Sequence, residues 1–258
     1  MQKKVLITGA TSGIGKALAS VFCKAGWQVW ISGRNPEKLR ATQKELSDLS
    51  KVEIFELDLT QIDTIIPKLI EFDRVSGGMD LVIANAGVGK VQTLDHFQWQ
   101  TLKETHHVNA LGAMATLCAF FKPMAERGHG HWVAISSLNA DIASPGSSAY
   151  GSSKAAISHF MAAASAECDA AGIVTTLIHP GFIKTKMTDQ NQFHMPFILP
   201  VDRAARMIFG AIKNKKRVYR FPWSLALIIR FSNLIPAHIR GRFVLKTLPK
   251  SSENSPSL

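Results

Sequence analysis

Tyr150 and Lys154 stand four residues apart in Tyr-Gly-Ser-Ser-Lys, and Ala155, Ala156 and Ile157 continue the run. On a helix, residues four apart share a face, so a phenol and an ammonium point the same way. An unperturbed tyrosine hydroxyl titrates near ~10 and exchanges protons poorly at neutral pH. Bringing such a phenol to about 7 requires about 4 kcal/mol of preferential stabilisation of its anion, more than one exposed ion pair supplies. A lysine one turn away provides part of that, and a second positive charge, such as an oxidised nicotinamide ring, the rest. Alone, the pair is an ordinary helix-surface pair; the elements around it have to decide.

The first of these is the run Lys3 to Thr8, a short apolar strand followed by Gly9-Ala-Thr11-Ser12-Gly13-Ile14-Gly15 and then by Ala17, Leu18, Ala19, Val21 and Phe22 at helical spacing. Strand, glycine turn and helix in that order make a pyrophosphate site: glycines admit the backbone, and the N–H groups at the helix start favour anionic oxygen. A second strand, Gln28 to Ser32, runs into Gly33-Arg34-Asn35-Pro36, where Asn35 caps a helix that proline opens. An acid at this strand end would bind the ribose hydroxyls of NAD. Gly33 and Arg34 stand there instead, which admits a 2′-phosphate and favours NADP(H) over NAD(H). Val52 to Leu57 is a third strand ending in Asp58-Leu59-Thr60, where Asp58 can bond the adenine amino group or cap the helix starting near Gln61, two compatible roles. Met79 to Ala84, nearly all apolar as a doubly covered parallel strand should be, leads into Asn85-Ala86-Gly87, small enough to let backbone lie against a cofactor.

A helical region from Trp99 to Glu126 contains Asn109, an amide that needs a partner in a helix interior. His131 to Ile135 is a fifth strand closed by Ser136 and Ser137, and a helix from Ser148 to Ala171 carries Tyr150 and Lys154 in its first two turns. Ile173 to Ile178 is a sixth strand, leaving by the rigid turn His179-Pro180-Gly181-Phe182-Ile183-Lys184-Thr185. The scattered histidines, His106 and His107 included, lack ligand spacing, so no metal site is expected.

These segments together resemble the short-chain dehydrogenase/reductase family. The matching pieces are Thr8-Gly-x-x-x-Gly-x-Gly15, Asn85-Ala-Gly87, Asn109, Ser137 with Tyr150-x-x-x-Lys154, and Pro180-Gly181 with Thr185, spanning residues 1 to about 190. The resemblance implies an α/β Rossmann-type fold, a doubly wound parallel sheet of about seven strands with helices on both faces. It implies Tyr150 as general acid for carbonyl reduction or base for alcohol oxidation, and Lys154 lowering its pKa and holding the nicotinamide ribose. Ser137 would bond the substrate oxygen, Asn109 would link Lys154 to a proton supply through its backbone and a water, and Ile183 and Thr185 would fix the carboxamide. Ser12 would add a phosphate contact.

At 258 residues and 46% hydrophobic composition the chain suffices for one large domain, and no linker or repeat divides it. One catalytic domain is expected over residues 1–220, a helical extension over 221–250 and a disordered end over 251–258. The unpatterned Cys23, Cys118 and Cys168 fit reduced core residues of a cytoplasmic protein. The N-terminal apolar run is too short for a signal peptide, and the absence of 18 successive uncharged apolar residues predicts no spanning helix.

The net charge of +11 sits at one end: residues 1–202 hold 18 Lys and Arg against 18 Asp and Glu, and residues 203–258 hold 12 against Glu253 alone. That distribution and the lack of a recognisable module argue against nucleic acid. Lys186 to Pro200 lies where a substrate lid would be, and its apolar residues point to a small hydrophobic carbonyl or alcohol. Pro222 to Ile235 reads as a helix of about 21 Å, too short to span, followed by Arg240, Arg242, Lys246 and Lys250. It suits either the interface of an anionic membrane or burial in a homodimer, a homotetramer or the active site itself. A carbonyl reductase is the leading expectation, and a cofactor-binding regulatory or scaffold protein without turnover the alternative.

Overall fold

The computed structural model describes residues 2–191 and 193–245, so Lys246, Lys250 and the expected disordered end lie outside the described residues. In chain order the elements are β1 (Lys4–Thr8), α1 (Gly13–Lys24), β2 (Gln28–Gly33), α2 (Pro36–Leu46), β3 (Val52–Glu56), α3 (Ile62–Ser76), β4 (Leu81–Ala84) and α4 (Trp99–His106). A π-helical stretch (His107–Gly112) follows, then α5 (Ala113–Ala119), α6 (Phe121–Arg127), β5 (Gly130–Ile135), α7 (Ser148–Ala170) and β6 (Ile173–Pro180). The chain closes with β7 (Ile183–Lys184), β8 (Leu199–Pro200), α8 (Val201–Lys213), β9 (Val218–Phe221), α9 (Trp223–Ser232) and α10 (Ala237–Leu245).

Seven strands form one sheet in the order β3-β2-β1-β4-β5-β6-β9, and every neighbouring pair is parallel. Side chains of successive strand residues face opposite ways, so the two layers can be read along each strand. Val5 and Ile7, Val29 and Ile31, and Leu81 and Ile83 bury against α1, α2 and α8. Leu6, Trp30, Val82 and Trp132 bury against α3, α5 and α7. This is the doubly wound Rossmann-type arrangement, and its strand order reverses between β1 and β4, where a crevice opens at the carboxyl ends of the strands.

The expected helix start at Asn35 is present: its side chain accepts from the Lys38 N–H at 2.8 Å, with Pro36 in the first turn. Four expectations need correction. The seventh strand is Val218–Phe221, which pairs with β6 through His179↔Arg220 and Pro180↔Phe221; the boundary placed between residues 220 and 221 therefore falls inside a strand. The helix expected over residues 222–235 spans only Trp223–Ser232, and a second helix follows Pro236. Cys118 is exposed, although Cys23 and Cys168 are buried. Finally, Trp99–Arg127 is long and apolar enough to cross a membrane by length and composition, yet 61% of its apolar window is buried within the fold, as suits a core element.

Candidate active site

Thr8, the last residue of β1, organises the crevice. Its hydroxyl oxygen lies 3.1 Å from the Asn85 N–H and 3.2 Å from the Ala86 N–H, accepting from both, and 3.4 Å from the Ile83 carbonyl. Asn85 returns its side-chain amide to the Thr8 carbonyl at 2.9 Å. The ends of β1 and β4 are thereby locked at the reversal point. Gly9 has φ +65°, and a Cβ there would lie 2.7 Å from the Ala86 Cα; Gly13 has φ +53°. Any side chain at Gly15 would collide with the Asn85 amide and the Gly9 carbonyl. Three glycines, a helix N-terminus and no acid in its first turn make a cradle that fits a pyrophosphate.

At the far side of this loop, Gly33 ends β2, and Arg34 beside it is exposed and 3.8 Å from Glu104. Asp58 uses one carboxylate oxygen to accept from both the N–H and the hydroxyl of Thr60, at 2.9 and 2.8 Å. The N-cap of α3 is Gln61, so Asp58 closes the turn before the helix rather than capping it as expected, and it lines the crevice. With Thr11, Ser12, Ile14 and Leu59, these groups line one end of a cleft of about 380 Å³.

Ser137, Tyr150 and Lys154 line the other end, together with Gly87, Pro180, Gly181, Ile183 and Thr185. Ser137 lies just past β5, and its hydroxyl oxygen accepts from the Asn139 N–H at 3.1 Å. That bond fixes the oxygen and leaves its proton to be donated. Lys154 is buried and donates to the Ile135 carbonyl at 2.8 Å; burial lowers its ammonium to about 8. Burial also pushes the Tyr150 phenol up, and a hydrogen bond with Ser137 opposes that rise. Lys154 Nζ lies 5.9 Å from the centre of the Tyr150 ring. Desolvation thus outweighs the serine hydrogen bond, and the phenol stays above its ordinary value.

Asn109 does not line the cleft but stands behind it, fully buried in the π-helical stretch. Its side chain accepts from the Val88 N–H at 2.8 Å and donates to the Val88 carbonyl at 2.8 Å and Ser153 Oγ at 3.0 Å. The amide's need for partners is met by the loop leaving β4. A π turn inside a helix is itself a frequent mark of a functional site.

The model of the short chain dehydrogenase family matches residues 3–195. The chain belongs to that family. An oxidoreductase of Myxococcus xanthus (strain DK1622) whose role is uncharacterised is 35% identical over 235 residues, covering 91% of this chain and 93% of that protein. Dehydrogenase/reductase SDR family member 7B of Mus musculus is 34% identical over 71% of this chain and 58% of its own length. Among solved structures, a short-chain dehydrogenase from Sphingobium yanoikuyae in complex with NADPH superposes with a TM-score of 0.79 over 98% of both chains at 22% identity. An alcohol dehydrogenase from Thermococcus sibiricus complexed with 5-hydroxy-NADP gives 0.76 over 86% of this chain and 95% of that one, at 24% identity. These likenesses establish the fold, and family membership makes the protein an oxidoreductase using a nicotinamide cofactor.

In this short-chain dehydrogenase several site residues carry no motif-like signal. Gly89 is one: a Cβ there would stand 2.7 Å from the Tyr150 ring, so glycine lets the phenol lie on the backbone. Thr188 is another, accepting from the Thr185 N–H at 2.9 Å and so shaping the turn after Ile183. The third is a cluster behind Ser137. His179 Nδ1 is 3.2 Å from both the Ser137 carbonyl and the Asp141 carboxylate. Both are acceptors, so this nitrogen carries a proton. Asp141 also receives the Arg220 guanidinium at 2.9 Å, and its carbonyl accepts from Asn233 at 2.7 Å. The serine segment is thereby tied to β6, β9 and α9. The sequence placed His179 in a turn past the sixth strand, whereas β6 runs on to Pro180 and buries it.

Proposed function

We propose that the protein is an NADP(H)-dependent reductase of small hydrophobic carbonyl compounds, or in reverse a dehydrogenase of the corresponding alcohols. The observation that carries this reading is that Ser137, Tyr150 and Lys154 share one cleft with the glycine cradle and Arg34. When bound, the cofactor supplies hydride to, or accepts it from, the substrate carbon. Tyr150 gives its hydroxyl proton to the oxygen that gains negative charge, and Ser137 donates a hydrogen bond to the same oxygen. Burial keeps the phenol protonated, which is the form reduction requires. Alcohol oxidation needs the opposite form, which the positive charges of Lys154 and an oxidised ring would favour.

Lys154 holds the nicotinamide ribose, with its reach set by the Ile135 carbonyl. Asn109, fastened through its side chain, leaves its main chain to carry the water that links Lys154 to solvent. Ile183 and Thr185 hold the carboxamide, and Gly9, Ser12 and Gly13 the pyrophosphate. Arg34 meets the 2′-phosphate, since no acid follows β2 and Gly33 leaves room. For the substrate, pairing of β7 with β8 through Ile183↔Leu199 pinches the intervening residues into a loop. That loop exposes Met187, Phe197 and Ile198; Met187 lines the cleft and supplies an apolar wall.

The test is NADPH and NADH oxidation against steroid, retinoid, 3-oxoacyl and small carbonyl substrates by the wild type and Tyr150→Phe. Turnover with NADPH is expected to fall about 10²- to 10⁴-fold in the variant while cofactor binding persists. Equal turnover of both proteins refutes the tyrosine mechanism, and cofactor binding without turnover by the wild type would favour a regulatory protein.

A further inference from the structure

α9 is apolar on two sides. Leu225 and Ile229, four apart, are buried against Leu138, Ile142 and Phe182. On the opposite side Trp223, Leu227, Phe231 and Leu234 recur at helical spacing into the following turn, and they are 77, 44, 60 and 80% exposed. α10 adds Ile239 and Phe243, at 41 and 66%. Arg240 ties the two helices together by donating to the Ser232 carbonyl at 2.9 Å. Large apolar residues collected on the exposed side of α9, with more exposed on the helix next to it, mark a surface with a partner.

Charge identifies the partner. Residues 221–245 contain Arg230, Arg240 and Arg242 and not one Asp or Glu. A two-fold contact with a second copy would set this patch on itself, bringing arginines together with no carboxylate between them. Residues 246–258 bring only Leu248 and Leu258 as large aliphatic side chains, too few to cover the face. An anionic bilayer supplies both missing components, hydrocarbon for the apolar stripe and phosphate for the guanidinium groups. Ten residues of α9 rise about 15 Å, so the helix lies along the interface rather than across it.

We propose that the exposed face of α9 and α10 docks into the headgroup region of an anionic membrane and that the substrate enters from the lipid. The buried face of α9 rests on Leu138 and Phe182, the neighbours of Ser137 and Gly181 in the chain, so docking sets the bilayer one helix away from the residues that flank the cleft. The substrate class this selects is an amphiphile with its carbonyl or hydroxyl near the headgroups, a statement that rests on the reductase reading above.

The experiment is co-sedimentation of the full chain with phosphatidylglycerol/phosphatidylcholine vesicles and with phosphatidylcholine alone, at low and high salt. Binding is expected to the anionic vesicles, to weaken with salt, and to drop about tenfold or more in Arg230→Glu/Arg242→Glu. Phe231→Glu/Leu234→Glu should lose it while keeping the wild-type circular dichroism and NADPH affinity. No binding by the wild type, or undiminished binding by Phe231→Glu/Leu234→Glu, overturns the proposal. So does a wild-type oligomer that this variant splits into monomers on size exclusion, which would give the face to a second copy. NADPH oxidation with a water-soluble carbonyl in the absence of vesicles, and with a long-chain carbonyl carried in the vesicles, separates the two readings: turnover without docking removes this proposal alone, and docking with turnover of neither substrate removes the reductase, and with it the substrate class, while leaving the docking.

Discussion

The strand ends between Thr8 and Gly87 and the helices after Pro222 bury their residues by opposite rules. In the first region backbone meets backbone: Gly9 lies against Ala86, and Thr8 and Asn85 exchange hydrogen bonds between two strands. No side chain can be added at Gly9 or Gly15 without moving a neighbour. In the second region one helix face holds the protein together and the other is left bare. A site assembled from main-chain contacts tolerates little change, whereas a half-covered helix tolerates much in the isolated protein and reveals its demands only with a partner.

The contrast is sharpest for Gly9→Val, which combines φ +65° with a Cβ 2.7 Å from the Ala86 Cα. NADPH affinity, measured by fluorescence titration, is expected to fall about a hundredfold or more; a loss of less than threefold would mean the cradle is pliable. Next comes Lys154, whose ammonium burial lowers from 10.5 to about 8. Between those pH values the unfolded chain binds more protons than the native one, so the stability of the cofactor-free protein rises with pH, by about 3 kcal/mol. Denaturant curves should show that rise in the wild type and not in Lys154→Met. Identical pH dependence in the two would contradict a buried charge.

Arg34→Ala removes a charge-assisted contact worth about 1.5–3 kcal/mol. The KM for NADPH should rise roughly 10- to 100-fold, with NADH kinetics unaltered; a parallel loss for both cofactors would place Arg34 elsewhere than on the 2′-phosphate. The smallest effect belongs to the bare face: Phe231→Ser should change unfolding stability by no more than about 0.5 kcal/mol. A larger loss would show that this face is packed within the protein itself.

Most of the first region was readable because its chemistry depends on residue type at fixed spacing. Glycines in a strand-to-helix turn, and a phenol four residues before an amine, have few other arrangements that satisfy all their neighbours. The pairing of Asn85 with Thr8, of Asn109 with Val88 and of His179 with Asp141 was not readable, since these contacts bridge 77, 21 and 38 positions of the chain. Asn109 announced only that it required partners. β9 was missed because Val218-Tyr-Arg-Phe221 is an edge strand, half exposed and basic, without the apolar run that marks β4. The tail's apolar character was legible, but not its division at Pro236 or which side of α9 is covered.

β9 has a consequence for how the chain can be shortened. The carbonyl of its last residue, Phe221, accepts the Gly181 N–H at 2.7 Å, so the strand that introduces the terminal helices also clamps the bend that follows β6 at the edge of the cleft. Trimming the protein back to remove its bare helices cannot stop at Arg220 without unfastening that bend. The shortest informative truncation ends after Pro222, and even there Leu138 and Phe182 lose their cover.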